Sequence, residues 1–594
     1  MRRLLFLLFM MAGVVVIAAS VSYTLAQEDD GQPQPPEYVG ARQCFACHRD
    51  VGPTHFESPH ALTLRPAEPD AILADFEQGQ EERVIQLPGE DEARPFTVDD
   101  IAYVVGVGQY MQQYVVEAGS EDEGDAQLLV LPVVWDVDGQ TWHRYPVEDE
   151  AWPSAGHDFV ESCAGCHVTG LSAGGEDERW IDDGVQCEAC HGPGSAHIEA
   201  VRDAGSRNPE GEALRAVQES IVLSPDAQIC GQCHSQGSAP DGHPYPIGYR
   251  PGENLLSEDV FTLVPPDESS HWWPTNHGMR KYMQFNEWLY FGHAGALDSL
   301  RDSGAARDAC LVCHSVDYAW AQSVETVPDT EAAEAEAAEE ADEGEGETEE
   351  SAAPQPVTVN SARFGVTCVS CHTIHAADAT EDEDDQAEGQ TAPAEGDPTY
   401  ALCVECHNDT DVTPWIHHPV QEMYEGIAIV DEVNAAPSPH FVVPGGPTCS
   451  TCHMPRVPIV EFGTRASHSF QPIMPGAAVD LEQVQDSCSG CHGDTVDAPT
   501  MQRLIDDIQA NTQARLDAIQ GNIRTDHPDW VRLAVQFVAG DGSLGIHNYR
   551  YSDALLDAVE AELGLDQTDD EQAAEAQDAA EGDANGAATE AAGE

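Results

Sequence analysis

The chain opens on an apolar run, Leu4–Ala19, behind Arg2 and Arg3, and small residues follow as far as Ala26. A charged start, an apolar stretch and small residues at the −3 and −1 positions predict a secretory leader, residues 1–26, cut after Ala26. The run is also near the lower limit for a spanning helix, so an uncleaved anchor is the alternative. Both place the remainder on the exported side, periplasmic or extracellular. Elsewhere no stretch is long and apolar enough to cross a bilayer.

Between residues 83 and 146 the apolar pattern is that of strands, at Val84–Leu87, Ala102–Gly106 and Leu128–Trp135, with a hairpin signal at Asp138-Gly139. This predicts a small β-rich insert. From Pro499 to Val538 the spacing turns helical, through Leu504, Ile505, Ile508, Leu516, Ile519 and Ile523. A turn at Gly540-Asp541-Gly542 then leads to a second helix, Tyr551–Leu563. The 39 prolines and 50 glycines predict a loop-heavy chain elsewhere.

Cysteine arithmetic supplies the chemistry. All 18 cysteines fall into nine copies of Cys-x-x-Cys-His. The pairs are Cys44/Cys47, Cys163/Cys166, Cys187/Cys190, Cys230/Cys233, Cys310/Cys313, Cys368/Cys371, Cys403/Cys406, Cys449/Cys452 and Cys488/Cys491. The histidines that follow are His48, His167, His191, His234, His314, His372, His407, His453 and His492. This spacing is the attachment signature of haem c: two thioethers to the porphyrin and the adjacent imidazole as proximal iron ligand. Zinc ribbons and redox dithiols do not need a histidine in that place. The expected cofactor is therefore nine covalent haems. The expected fold is a multihaem cytochrome c, mainly α with extensive loops around a packed haem array, plus the β insert and the C-terminal helices.

The expected organisation is a five-haem region at 38–324, an acidic linker at 325–357, and a four-haem region at 358–497 with an acidic loop at 376–398. A helical segment, 498–563, and an acidic tail, 566–594, complete it. Glu331–Glu350 carries 11 acids in 20 residues, and the linker, loop and tail read as disordered, self-repelling segments. The formal net charge is −82, with Lys281 the one lysine beside 24 arginines. Such a surface excludes nucleic acid as a partner. It suits docking of a basic redox protein, or equally solubility in high salt.

Several phrases resemble a known family. Ser58-Pro59-His60-Ala61 after the first motif, the second motif within Ser162–Leu171, the run Gly184–His197 containing Cys-Glu-Ala-Cys-His-Gly-Pro-Gly, and Ile229–His234 resemble the tetrahaem cytochrome c-554 family, over residues 38–234. That family is related to hydroxylamine oxidoreductase and pentahaem nitrite reductase. The second half is similar to other multihaem cytochromes, on Glu287-Trp288, Gly292-His293-Ala294, Cys371–His375, His417-His418-Pro419-Val420, Cys452–Pro455 and Gly545–Asn548. The lysine-ligated Cys-x-x-Cys-Lys of nitrite reductases is absent, and the haem cross-linking tyrosine of hydroxylamine oxidoreductase cannot be placed. The resemblance implies a second haem, held by His167, without a distal protein ligand; His157 is the residue that would block it.

Sixteen histidines lie outside the motifs. His60, His197, His293, His375, His418, His468 and His547 are the expected distal ligands, with His417 competing with His418. His157, His271, His277 and His440 are the pool for the remaining two. The leading functional expectation is a non-catalytic, exported electron carrier. It passes electrons between redox partners, with a membrane quinol-oxidising donor among the candidates. The alternative is a multihaem oxidoreductase acting on a small nitrogen or sulfur compound at one open haem, and a filament-forming cytochrome is a third reading. No flavin, nicotinamide or phosphate motif supports another enzyme class.

Overall fold

A computed structural model describes residues 35–119, 127–144, 152–171, 180–325, 356–375, 398–409, 417–431, 433–460 and 463–565. The leader, almost all of the acidic linker and acidic loop, and the acidic tail lie outside these. All 25 histidines and all 18 cysteines lie within them. Among the described residues, no helix is long and apolar enough to cross a membrane.

The β insert is a five-stranded antiparallel sheet. Its strands lie in the order Leu64–Pro66, Ile101–Val105, Met111–Ala118, Gln127–Asp136 and Thr141–Arg144. The sheet thus reaches back beyond the expected limit of residue 83, because Leu64 pairs with Val105 and completes the edge. Val84–Ile85 contributes only to a separate two-stranded ribbon with Arg94–Pro95.

The long strand is apolar on both faces, and period-2 alternation divides it between two cores. Leu129, Leu131, Val133 and Trp135 join Phe96, Tyr114 and Trp142 on one side. Leu128 and Val130 join Val115, Phe159, Ala164 and Val168 on the other, with Cys163 packed against them. The second Cys-x-x-Cys-His motif therefore leans on the sheet. Pro132, which cannot donate to a ladder, falls where the register slips between Gln113 and Val115.

The helical segment contains three helices rather than two: Ala498–Gln520, Asp529–Gly540 and Tyr549–Leu563. The apolar period runs on past residue 520, but Gly521 and Pro528 bound the break. Asp497 caps the first helix by accepting from Thr500 N at 2.8 Å, and Asn548 caps the third by accepting from Tyr551 N at 3.3 Å. Leu516, Ile519, Val531, Phe537, Leu555 and Val559 form their common core, which also takes in Met423 and Val430 from the last four-motif region. Arg515 ties the outer helices through Asp553 (2.7 Å), Asp557 (2.6 Å) and Glu560 (2.7 Å).

Candidate haem centres

Each motif folds as a single helical turn or close to it. Short helices cover Ala164–His167, Cys187–His191, Leu311–His314, Cys449–His453 and Ser489–His492. In several motifs the histidine's amide closes the turn onto the first cysteine, beside the amide of the second cysteine: His48 N donates to Cys44 O (3.0 Å), His234 N to Cys230 O (3.0 Å) and His372 N to Cys368 O (2.9 Å). Two thiols three residues apart then share one face, with the imidazole next to them.

Eight of the nine motif histidines face a second, non-motif imidazole. Ring centroids are 6.2 Å apart for His48–His197, 6.1 Å for His234–His60 and 6.0 Å for His191–His375. They are 6.2 Å apart for His372–His468, 6.1 Å for His453–His547 and 6.0 Å for His492–His440. The spacing fits one metal between two nitrogens, given a metal–imidazole bond of about 2 Å on each side and about 1 Å from nitrogen to ring centre. The residues present thus fit haem iron with two axial imidazoles.

Two motifs share a cluster. His314 stacks on His417 at 6.1 Å and 23°, and lies 6.3 Å from His418 at 36°. His407 faces both His293 (6.2 Å) and His418 (5.9 Å). His418 sits between, 3.9 Å from His417, with its backbone at φ 58°, a strained region for a residue other than glycine.

The outer nitrogens are held by the protein, which fixes the tautomer and turns the other nitrogen inward. His191 Nδ1 donates to Val222 O (2.7 Å), His314 Nδ1 to Ala296 O (2.9 Å) and His453 Nδ1 to Phe470 O (3.0 Å). On the opposite side, His197 Nδ1 donates to Val217 O (3.0 Å), and His547 Nδ1 to the buried carboxylate of Asp541 (2.7 Å). Burial lowers the basicity of His191, His293, His440, His453 and His468, and pulls His234, His407 and His418 down to about 4. A neutral ring keeps the lone pair that a metal needs.

Of the residues kept in reserve, only His440 faces a motif imidazole. His277 is fully buried, with one nitrogen against Thr275 Oγ1 (3.0 Å) and the other against Gln471 O (3.0 Å). His271 lies beside Ser270 Oγ (2.9 Å). His157 lies beside Ser154 Oγ (2.9 Å) and edge-on to Trp152.

His167 differs from the other eight. Its Nδ1 pairs with Thr63 Oγ1 at 2.9 Å, and no histidine ring among the described residues stacks opposite it.

The motifs also touch one another, and the contacts give an order. Cys44 of the first meets Cys187 of the third, and Cys230 of the fourth meets Cys368 of the sixth. The third and fourth are tied by Gln232 Nε2 donating to Ala189 O (2.9 Å). Cys371 of the sixth lies near Cys403 of the seventh, and Cys403 meets Cys449 of the eighth. Ser487 Oγ donates to Cys452 O (3.1 Å), joining the ninth to the eighth. The second motif branches from the fourth, with Cys233 Sγ 3.8 Å from Gly165 O, and the fifth from the seventh, with Cys313 Sγ 3.9 Å from Glu405 O. The order is a line, 1-3-4-6-7-8-9, with motifs 2 and 5 as spurs.

Single buried carboxylates brace this line. Glu188, inside the third motif, accepts from Val39 N (2.9 Å), Gly40 N (2.8 Å) and Gly194 N (2.7 Å). It pins the first motif's approach to the third, which explains the acid in the Cys-Glu-Ala-Cys-His phrase. Glu287 accepts from Arg465, Gly278 N, Ser467 Oγ and His468 N. Burial would raise its pKa, but the Arg465 charge and these hydrogen bonds outweigh burial and hold it below the ordinary value.

A chain of Cys-x-x-Cys-His turns with imidazoles paired across metal-sized gaps defines a multihaem c-type cytochrome, an electron-transfer protein with covalently bound haem c. Residues 143–192, spanning the second and third motifs, match the family described as cytochrome c554 and c-prime. The outer cell wall cytochrome OcwA is similar in structure, with TM-score 0.65 and 29% identity over 89% of this chain and 99% of that one. An undecaheme cytochrome from the S-layer of Carboxydothermus ferrireducens gives TM-score 0.48 and 20% identity over 90% of this chain and 70% of that one. No curated protein matches the chain.

Proposed function

We propose that the protein is an exported nine-haem conduit that moves electrons along the line of motifs between two redox partners. The continuous contact order carries this reading: closely spaced haems form one path, and the spurs do not interrupt it. Haem c would supply the one-electron chemistry. The eight imidazole pairs would hold the irons six-coordinate, which suits outer-sphere transfer and leaves no vacancy for substrate. Cys47 and Cys491, at the two ends of the line, are solvent-exposed, as is Cys371 of the sixth motif within it; the two ends are where a path along the line would meet partners. The net charge of −82 suits a basic partner at one of them. The outer-cell-wall designation of OcwA supports a location on the exported side.

The test combines intact mass with redox titration of the purified holoprotein. Nine haem additions and full oxidation by a chemically inert acceptor, without turnover of nitrite or hydroxylamine, are expected. Seven or fewer haems, or useful turnover, overturn the reading. Turnover would favour the second one, a small-molecule oxidoreductase, whose support is the unmatched imidazole of His167.

A further inference from the structure

His191, His314 and His453 each rest Nδ1 on a main-chain carbonyl. His167 is held differently. Its Nδ1 lies 2.9 Å from the hydroxyl of Thr63, a residue 104 positions earlier in the chain. The Thr63 carbonyl is farther off, at 3.4 Å, and already accepts from Gly106 N at 2.8 Å. The hydroxyl is therefore the partner. With Nε2 turned towards the iron, Nδ1 keeps its proton and donates it to Oγ1.

The surroundings hold Thr63 and His167 in this register. The next residue, Leu64, pairs with Val105 at the edge of the β sheet. On the other side, Gly184 N donates to His167 O at 3.1 Å, and Val185 N to His60 O at 3.0 Å. Gly184 is left-handed at φ 76°, and a Cβ there would stand 2.0 Å from Ala61 O, so only glycine admits the approach. Five residues thus perform three tasks. His60 faces His234 of the fourth motif, Thr63 holds His167 of the second, and Leu64 completes the sheet.

A hydroxyl is a neutral acceptor, weaker than the carboxylate that Asp541 offers His547. A stronger acceptor on the outer nitrogen makes the imidazole a better donor and favours the oxidised iron. The identity of residue 63 is therefore able to change what the iron feels, whereas a main-chain carbonyl is the same for every side chain.

We propose that Thr63 is a positioning residue of the second centre: its hydroxyl fixes the rotation of His167 and sets the potential of the haem attached at Cys163 and Cys166. The spur is then tuned from the edge of the β insert, by a residue outside every haem motif, and separately from the fourth centre beside it. This rests on the reading of a haem at the second motif, which intact mass tests separately in the native protein.

The experiment is a redox titration of the holoprotein followed by electron paramagnetic resonance, with intact mass recorded for each variant. Thr63→Val keeps the shape of the side chain and removes the acceptor. One component in nine should rise in potential, by about 60 mV for a tenfold change in relative affinity. Thr63→Ser should restore the native value, and Thr63→Asp should move the same component down. That component should not be the one that turns high-spin in His60→Ala. The proposal is overturned if Thr63→Val moves no component, or if Thr63→Val and Thr63→Asp shift it in the same direction. It is equally overturned if the fourth centre moves with the second, because that marks a general disturbance of the segment. Should Thr63→Val lose its second haem, the direction found in Thr63→Asp decides.

Discussion

Glu287 and Arg465 meet across the two halves of the molecule as a bidentate ion pair, with Oε2 2.7 Å from Nη1 and Oε1 2.9 Å from Nη2. The carboxylate side chain is fully buried, and it also receives His468 N at 2.7 Å. The pair thus clamps the loop that presents His468 to His372. Glu287→Gln leaves a buried guanidinium without a counter-charge, so a loss of about 3–5 kcal/mol is expected. Denaturant unfolding measures it. A rise in high-spin signal from one haem should accompany it, and Glu287→Leu with Arg465→Met should recover part of the stability. An unchanged midpoint in Glu287→Gln would show that the pair does not brace this loop.

His60 lies opposite His234, not opposite the histidine of its neighbouring motif. His60→Ala should therefore make the fourth haem high-spin and leave the first low-spin, whereas His197→Ala should affect the first. In the shared cluster, His417→Ala should cost one low-spin centre and His418→Ala none, since His417 is the ring more nearly parallel to His314 and His293 already faces His407. Electron paramagnetic resonance of each variant counts the centres. The reverse result for the adjacent pair would assign the ligand to His418.

Asp541 holds the Nδ1 proton of His547 through a buried carboxylate at 2.7 Å. A carboxylate partner makes an imidazole more basic and favours the oxidised iron. Asp541→Asn should raise the potential of the haem at His453, on the order of 60 mV for a tenfold change in relative affinity. Spectroelectrochemical titration resolves the shift. A fall in potential would contradict the assignment.

The β insert carries its own pH dependence. Arg94 holds the Asp100 pKa down to about 2 through a hydrogen-bonded pair at 2.7 Å, against the opposing effect of burial and with help from Thr97. A carboxyl depressed in the folded state stabilises it above the unfolded pKa, and that contribution fades as pH falls from about 4 towards 2. Screening at the part-exposed Arg94 limits the effect to about 1 kcal/mol. The Tm difference between the native protein and Asp100→Asn should be present at pH 6 and should shrink below pH 4. A difference that stays constant with pH would exclude the pair as its source.

The motifs were legible because a haem site is local: Cys44–His48 declares itself within five residues. The strand Leu128–Trp135 and the C-terminal helices were legible for the same reason, through their periods of two and 3.6. The pairing of ligands was not. Nothing near His375 says that it faces His191, because that contact is made by the packing of distant loops. The break between Gln520 and Asp529 was hidden by apolar residues that keep the helical period across Gly521.

His375 opposite His191, His60 opposite His234 and His468 opposite His372 join segments far apart in sequence. Between them the aliphatic clusters are small; the one around Leu297 has only four buried members. With haem bound as proposed, each imidazole pair would close a long loop as a staple, in the way that disulfides secure small secreted domains. The group proposed to carry the electrons would then also fasten the fold. A chain lacking one haem would then be expected to lose order at the distant segment whose histidine that haem would have held.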